Sequence, residues 1–167
     1  MSMRKKKIEK PNHKQAQNSA LKLLKECGYV KPPIDPVQIA KMLGIKVHSA
    51  SFKNTEVSGL YDFEQNIIYV NNRDNVERQT FTIAHEIGHF KLHSEWVKSN
   101  DYKVLLRSPN DNDPKELEAN TFAAHLLVPK IMLDEYREIA SITDLAMAFG
   151  VSIDVINKRL AFENKYA

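Results

Sequence analysis

From Gln79 to His93 the chain reads QTFTIAHEIGHFKLH, and no other stretch restricts the fold as tightly. Phe81, Ile83, Ala84, Ile87, Phe90 and Leu92 cover most of a helical circumference. A helix that is apolar nearly all round belongs inside a protein. His85 and His89 then enter the interior one turn apart on one face, because residues four apart are helical neighbours. Two unpaired imidazoles are expensive to bury. Two imidazoles that close on one ion, at the Zn–N distance of about 2.0–2.1 Å, satisfy each other. Glu86 is turned about 100° from His85 by the helical period, so its carboxylate stands beside such an ion rather than on it.

H-E-x-x-H is the zinc-metallopeptidase pattern, with the glutamate placed to take a proton from a water at the metal. Its position on an otherwise apolar helix favours this reading over a buried helix with incidental histidines. A catalytic zinc needs a third protein ligand and one open position. His93 extends the stripe of histidines, but it lies about 12 Å along the axis from His85, too far to share one ion. It is read as a supporting or surface residue. The better candidate lies in DPKELEANTFAAHLLVP, where Glu116 and Asn120 share one face and Phe122, Ala123, Leu126 and Leu127 supply the buried side. A glutamate ligand followed one turn later by Asn or Asp is the glu-zincin arrangement, the later residue orienting a ligand histidine. Glu118 points to another face, and Glu116 is preferred to it.

Length and composition set the frame for this site. The chain has 167 residues, enough for one core without staples. No apolar run approaches the roughly 20 residues that cross a bilayer. Cys27 is the lone cysteine, which excludes an internal disulfide and a cysteine-based zinc cluster. The net charge of +3 is mild, and Arg4 to Lys7 read as part of a solubilising tail. The start lacks an apolar segment of the secretory kind, and a cytoplasmic protein fits best.

Along the chain, helical spacing runs from Lys14 to Cys27 with Gly28 as its cap. KPPIDP is extended, and a short helix from Val37 to Leu43 ends at Gly44. IKVHSASF and VSGLYDFEQNIIYVN read as antiparallel strands of a small sheet, with a turn at EQN. Asp74 and Glu77 have the spacing of a capping box for a helix from about Asn75 to His93. Ser94 to Asp113 is mixed, with SPNDNDP as a loop. Asp113 caps a second helix that has Pro114 at its first position and stops before Pro129. The remaining helical segment, Pro129 to Phe162, breaks near Ser141 and at Gly150. NIIYVN is read as an edge strand able to add an extended peptide. Tyr61, Tyr69 and His93 are candidates for stabilising an oxyanion.

RQTFTIAHEIGHFKLH followed by ELEANTFAAHLLVP resembles the ImmA/IrrE zinc metallopeptidases, and the likeness extends to PPIDPVQIAKMLGIKV and VSGLYDFEQNIIYVN. The resemblance covers about residues 14–162. It implies an α+β, zincin-like (glu-zincin) domain over 14–135, after a basic flexible tail over 1–13. Separately, the spacing of Ala146, Gly150 and Val155 or Ile156 reads as a helix-turn-helix-like packing unit over 136–167. The resemblance implies His85, His89 and Glu116 as Zn²⁺ ligands and Glu86 as the base. It also implies a helix-turn-helix repressor as substrate, in a mobile element, prophage or stress circuit. The family commonly has glutamate where this chain has His125, read here as a packing or surface change. The alternatives are a toxin–antitoxin component and a non-proteolytic regulatory or DNA-binding protein on the same scaffold. Against specific DNA binding, Ser152, Asp154 and Asn157 stand where a DNA reader presents basic or amide groups, with Lys158 and Arg159 only later.

Overall fold

A computed structural model of the chain describes residues 9–99, 101–102 and 110–165. The basic run Arg4 to Lys7 and the first two residues of SPNDNDP lie outside the described residues. Over the rest, the chain is α+β. The elements run α1 (His13–Cys27), α2 (Pro36–Met42), β1 (Lys46–Ala50), β2 (Gly59–Asp62), β3 (Ile67–Asn71) and α3 (Val76–Leu92). They continue with α4 (Ser94–Val97), α5 (Pro114–Leu127), α6 (Lys130–Tyr136), α7 (Ile142–Phe149) and α8 (Ile153–Lys165).

Most helix ends follow the local chemistry. Asn12 caps α1 by accepting the Gln15 N–H, and Gly28 closes it with a φ of 74° that only glycine adopts freely. Asp35 caps α2 ahead of Pro36, and Asp113 caps α5 ahead of Pro114. The cap of α3 differs from the expected one. Asn75, not Asp74, accepts the Arg78 N–H, while Asp74 forms an ion pair with Arg78 at 3.3 Å. Two adjacent residues are both good caps, and the extended backbone of Asn75 (ψ 167°) makes it the last residue before the helix.

The sheet is mixed rather than antiparallel. Its order is β1-β3-β2, with β2 antiparallel and β1 parallel to β3. The β2–β3 hairpin turns at Asn66 (φ 56°), while β1 arrives on the far side. Side chains alternate identically in parallel and antiparallel strands, so the pattern carries no strand direction. β3 is therefore central, with both edges paired, and NIIYVN cannot add a peptide strand as an edge strand would. The edges among the described strands are β1 and β2.

α3 crosses this sheet and packs between it and α5, while α1 covers α5 and α3. Ile68 and Val70 of β3 meet a core that includes Ile83, Ile87, Phe122 and Leu126. Gly88 sets the closeness of α3 and α5: a Cβ there would lie 3.0 Å from the Phe122 ring and 3.3 Å from the Ala119 backbone. Beyond Pro129 the helical segment does break where expected. A Ser141–Asp144 capping box opens α7, and Gly150 (φ 67°) closes it before α8.

Candidate metal centre

The close approach of α3 and α5 brings two sets of polar side chains together. His85 and His89 point from α3 toward α5, and Glu116 reaches back from the first turn of α5. Glu116 Oε2 lies 3.2 Å from His85 Nε2, and Oε1 lies 2.9 Å from His89 Nε2. One donor atom from each of the three residues falls within 4.8 Å of the others. Two imidazoles and a carboxylate are a donor set that zinc accepts. Each Nδ1 is engaged on the outer side: His85 Nδ1 with Asn120 Oδ1 at 2.8 Å, and His89 Nδ1 with His93 Nδ1 at 2.9 Å. Both Nε2 atoms are thereby turned inward, and the residues fit a metal ion. Glu118 does not join the group. Its carboxylate pairs with His93 Nε2 at 2.6 Å.

Burial shapes the protonation of these groups. It lowers the His89 imidazole to about 4, despite the Glu116 hydrogen bond, and so holds it in the neutral form that binds metals. His85 is also buried, but the bond from Glu116 and the charges of Glu86 and Glu116 outweigh burial and leave its pKa raised. Burial acts upward on Glu116, yet the two imidazoles hold its carboxyl well below the usual carboxylate range. Glu86 is 5% exposed. Burial pushes its carboxyl up to about 7, and the Glu116 charge adds to this against the opposing pull of His85 and Tyr102.

These side chains form one wall of an open cleft of about 720 Å³. The cleft is also lined by Glu56 to Gly59 ahead of and within β2, by Arg78 and Thr82 of α3, and by Ser152, Asp154, Val155 and Lys158 at the C-terminal helices. Gly59 is demanded by packing, since a Cβ would lie 2.5 Å from Thr82 Cγ2 and 2.8 Å from the Tyr69 carbonyl.

The three candidate oxyanion donors do not line this cleft. The Tyr61 hydroxyl donates to Asn66 Oδ1 at 2.6 Å, the Tyr69 hydroxyl bonds Gln65, and His93 is held by His89 and Glu118. Sequence reasoning misses Tyr102. It is buried, lines the cleft, accepts the backbone N–H of Tyr61 at 2.8 Å and donates to Glu86 Oε2 at 3.3 Å. Trp96 packs on its ring and on that of His89. Both sit in a stretch without helical or strand periodicity, and nothing in the sequence singles them out.

An α+β chain with this donor cluster has the make-up of a metallopeptidase. The sequence profile described as the IrrE N-terminal-like domain, peptidase M78, matches residues 40–161. The chain belongs to this family, which is the ImmA/IrrE family. "Uncharacterized immunity region protein 2" of Bacillus phage phi105 is 29% identical over 124 residues, covering 72% of this chain and 76% of that protein. Metallopeptidase ImmA of Bacillus subtilis is 34% identical over 101 residues, 59% of this chain and 57% of ImmA. Radiation response metalloprotease IrrE of Deinococcus radiodurans is 33% identical over 90 residues, 54% of this chain but only 27% of IrrE. A Mycobacterium tuberculosis transcriptional regulator superposes with a TM-score of 0.66 at 19% identity, over 88% of this chain and 55% of that one. That last likeness concerns the fold alone.

Proposed function

We propose that this chain is a zinc-dependent endopeptidase that cuts a helix-turn-helix repressor of a mobile element, prophage or stress circuit in the cytoplasm. The observation that carries the reading is the convergence of His85, His89 and Glu116 beside buried Glu86 on the wall of an open cleft. His85 and His89 would hold zinc through Nε2 and Glu116 through its carboxylate. Bound there, zinc supplies a Lewis acid for the peptide carbonyl and makes water more acidic. Glu86, poised near neutrality, takes the proton of the attacking water and passes it to the leaving nitrogen. Tyr102 orients the Glu86 carboxylate. One relative is an immunity region protein of a phage, which supports a mobile element as the setting, and another is a metallopeptidase, which supports the activity.

In this reading α7 and α8 are a helix-turn-helix-like packing pair without specific DNA contacts. Arg159 is 1% exposed and bonded to Val128, Glu163 and His125, while Lys158 pairs with Asp154 at 2.8 Å. Arg159 is thereby withdrawn from any groove, and exposed Lys158 has Asp154 beside it, whose charge a phosphate would oppose. Among the described residues no helix is long and apolar enough to cross a membrane.

The test is co-expression with the product of the neighbouring gene, comparing wild type with Glu86→Gln and reading cleavage by mass spectrometry. Cleavage only by the wild type is the expected result. Equal cleavage by both, or none by either with zinc bound, overturns the reading. A gel shift at physiological salt tests the second part, and sequence-specific retardation lost on Lys158→Ala would reverse it.

A further inference from the structure

We propose that His93 and Glu118 form a hydrogen-bonded relay that fixes the tautomer and orientation of His89, and so sets the metal affinity of the centre. The proposal rests on the reading of His85, His89 and Glu116 as metal ligands. His89 would meet the ion through Nε2, the atom that faces Glu116 at 2.9 Å. Its proton must then sit on Nδ1. Among the described residues that proton has one acceptor in reach, His93 Nδ1 at 2.9 Å. With Nδ1 accepting, neutral His93 carries its own proton on Nε2, which donates to Glu118 Oε2 at 2.6 Å. Glu118 Oε1 accepts the backbone N–H of Asn12 at 2.8 Å. Only one arrangement of protons along the chain satisfies every link.

The relay is built rather than incidental. His93 is 7% exposed and its ring packs against those of His89 and Trp96. Its anchor, Asn12, lies outside residues 40–161, the part matched by the family profile. The two ligand histidines are also supported differently. His85 leans on a neutral amide, Asn120. His89 leans on a carboxylate through an intervening imidazole, so negative charge reaches its ring and makes Nε2 a better donor. Partners of this kind typically change metal affinity about 10–100-fold.

The experiment measures zinc affinity by chelator competition on the full chain, with thermal unfolding of the zinc-free proteins as a control for folding. His93→Phe keeps the bulk and removes the acceptor, and should weaken zinc binding about 10–100-fold. His93→Asn restores an acceptor close to the Nδ1 position and should recover most of that loss. Glu118→Gln keeps an acceptor but removes the charge, and should give a smaller loss. In zinc-loaded wild type the His89 Nδ1–H should appear as a protected downfield proton resonance, absent in His93→Phe. Wild-type affinity in His93→Phe overturns the relay, as does an equal loss in the Phe and Asn variants. If His93→Phe does not fold, the Asn and Gln variants and the wild-type resonance decide it. A wild type that binds zinc without cleaving peptides removes the peptidase reading and leaves the relay standing. A wild type that binds no zinc removes both.

Discussion

Helix α5 carries a polar cluster at each end, one open to the cleft and one fully buried, and the two are built on opposite rules. At its N-terminal end Glu116, Glu118 and Asn120 face three histidines and Glu86 of or beside α3, and His85, Glu86, His89, Glu116 and Asn120 of this group line the cleft. At its C-terminal end His125 meets Arg159 and Glu163 of α8, all three at most 4% exposed and none lining the cleft. In that closed cluster Arg159 spends its donors on the Val128 carbonyl at 2.9 Å, Glu163 at 2.7 Å and His125 Nε2 at 3.4 Å. Cation and anion meet directly. In the open cluster three donors converge on a common point, and a carboxyl that burial pushes up to about 7 stands beside them. Burial there holds groups in chemically useful states; burial at the other end holds two helices together.

The sharpest way to break this contrast is to remove single groups from the open cluster and ask whether chemistry, rather than folding, is lost. Glu116→Ala should empty the site of zinc and abolish cleavage, while Glu118→Ala should weaken binding without emptying it. Metal analysis of the purified variants decides between them, and the reverse outcome makes Glu118 the ligand. Glu86→Gln should keep its zinc and lose about 10²–10⁴-fold in kcat, the usual worth of a positioned acid–base group. Glu86→Gln should not lower the melting temperature of the zinc-free protein, because it removes a carboxyl whose ionised form burial disfavours.

The closed cluster should respond in the opposite sense. Arg159→Met leaves Glu163 buried without its cation, which costs about 3–5 kcal/mol. Arg159→Met with Glu163→Met should recover most of that loss, since a buried ion pair contributes little beyond its hydrophobic replacement. Urea unfolding of the single and double variants measures both. A single variant as stable as wild type would mean that α8 is not held by this cluster.

The difference between the two ends also explains what the sequence reveals. Spacing on a helix is local, so H-E-x-x-H, the Glu116–Asn120 pair and most caps are legible from the order of residues alone. The position of His93 is legible only as a negative: the axial rise keeps it off the ion, and its link to Glu118 needs the packing of α3 against α5. Contacts between segments without periodicity are silent. Tyr102 reaches Glu86 from a stretch whose sequence shows no helical pattern, and contacts between distant helices are silent too, as where His125 meets Arg159 from 34 residues away. Strand direction is equally silent, because β1 and β2 carry the same alternation whether they flank β3 in parallel or antiparallel fashion. Asp74 and Asn75 show the finest limit. Either caps a helix well, and a single residue of backbone geometry chooses between them.

The smallest effect concerns His125, and it separates the clusters by pH. Burial, with the charge of Arg159 beside it, lowers this imidazole from 6.5 to about 3. Its Nε2 accepts from Arg159, its Nδ1 finds no partner among the described residues, and its ring stacks edge-on against Phe162. The folded protein therefore keeps His125 neutral where the unfolded chain protonates it. Below pH 6.5 the unfolded state binds the extra proton, so the contribution of His125 to stability is whole above that pH and declines as pH falls toward 3. The slope is about 1.4 kcal/mol per pH unit, or about 2 kcal/mol between about pH 7 and about pH 5. His125→Gln keeps an acceptor for Arg159 and removes the titration. Urea unfolding of both proteins across that range, zinc-free so that metal loss from the open cluster does not enter, should show the gap between them shifting by this amount in favour of the variant as the pH falls. His89, also held low by burial, contributes equally to both curves and cancels in their difference. Parallel curves would show that the His125 end of α5 opens to water before the rest of the protein unfolds, and the two clusters would then differ less than their burial implies.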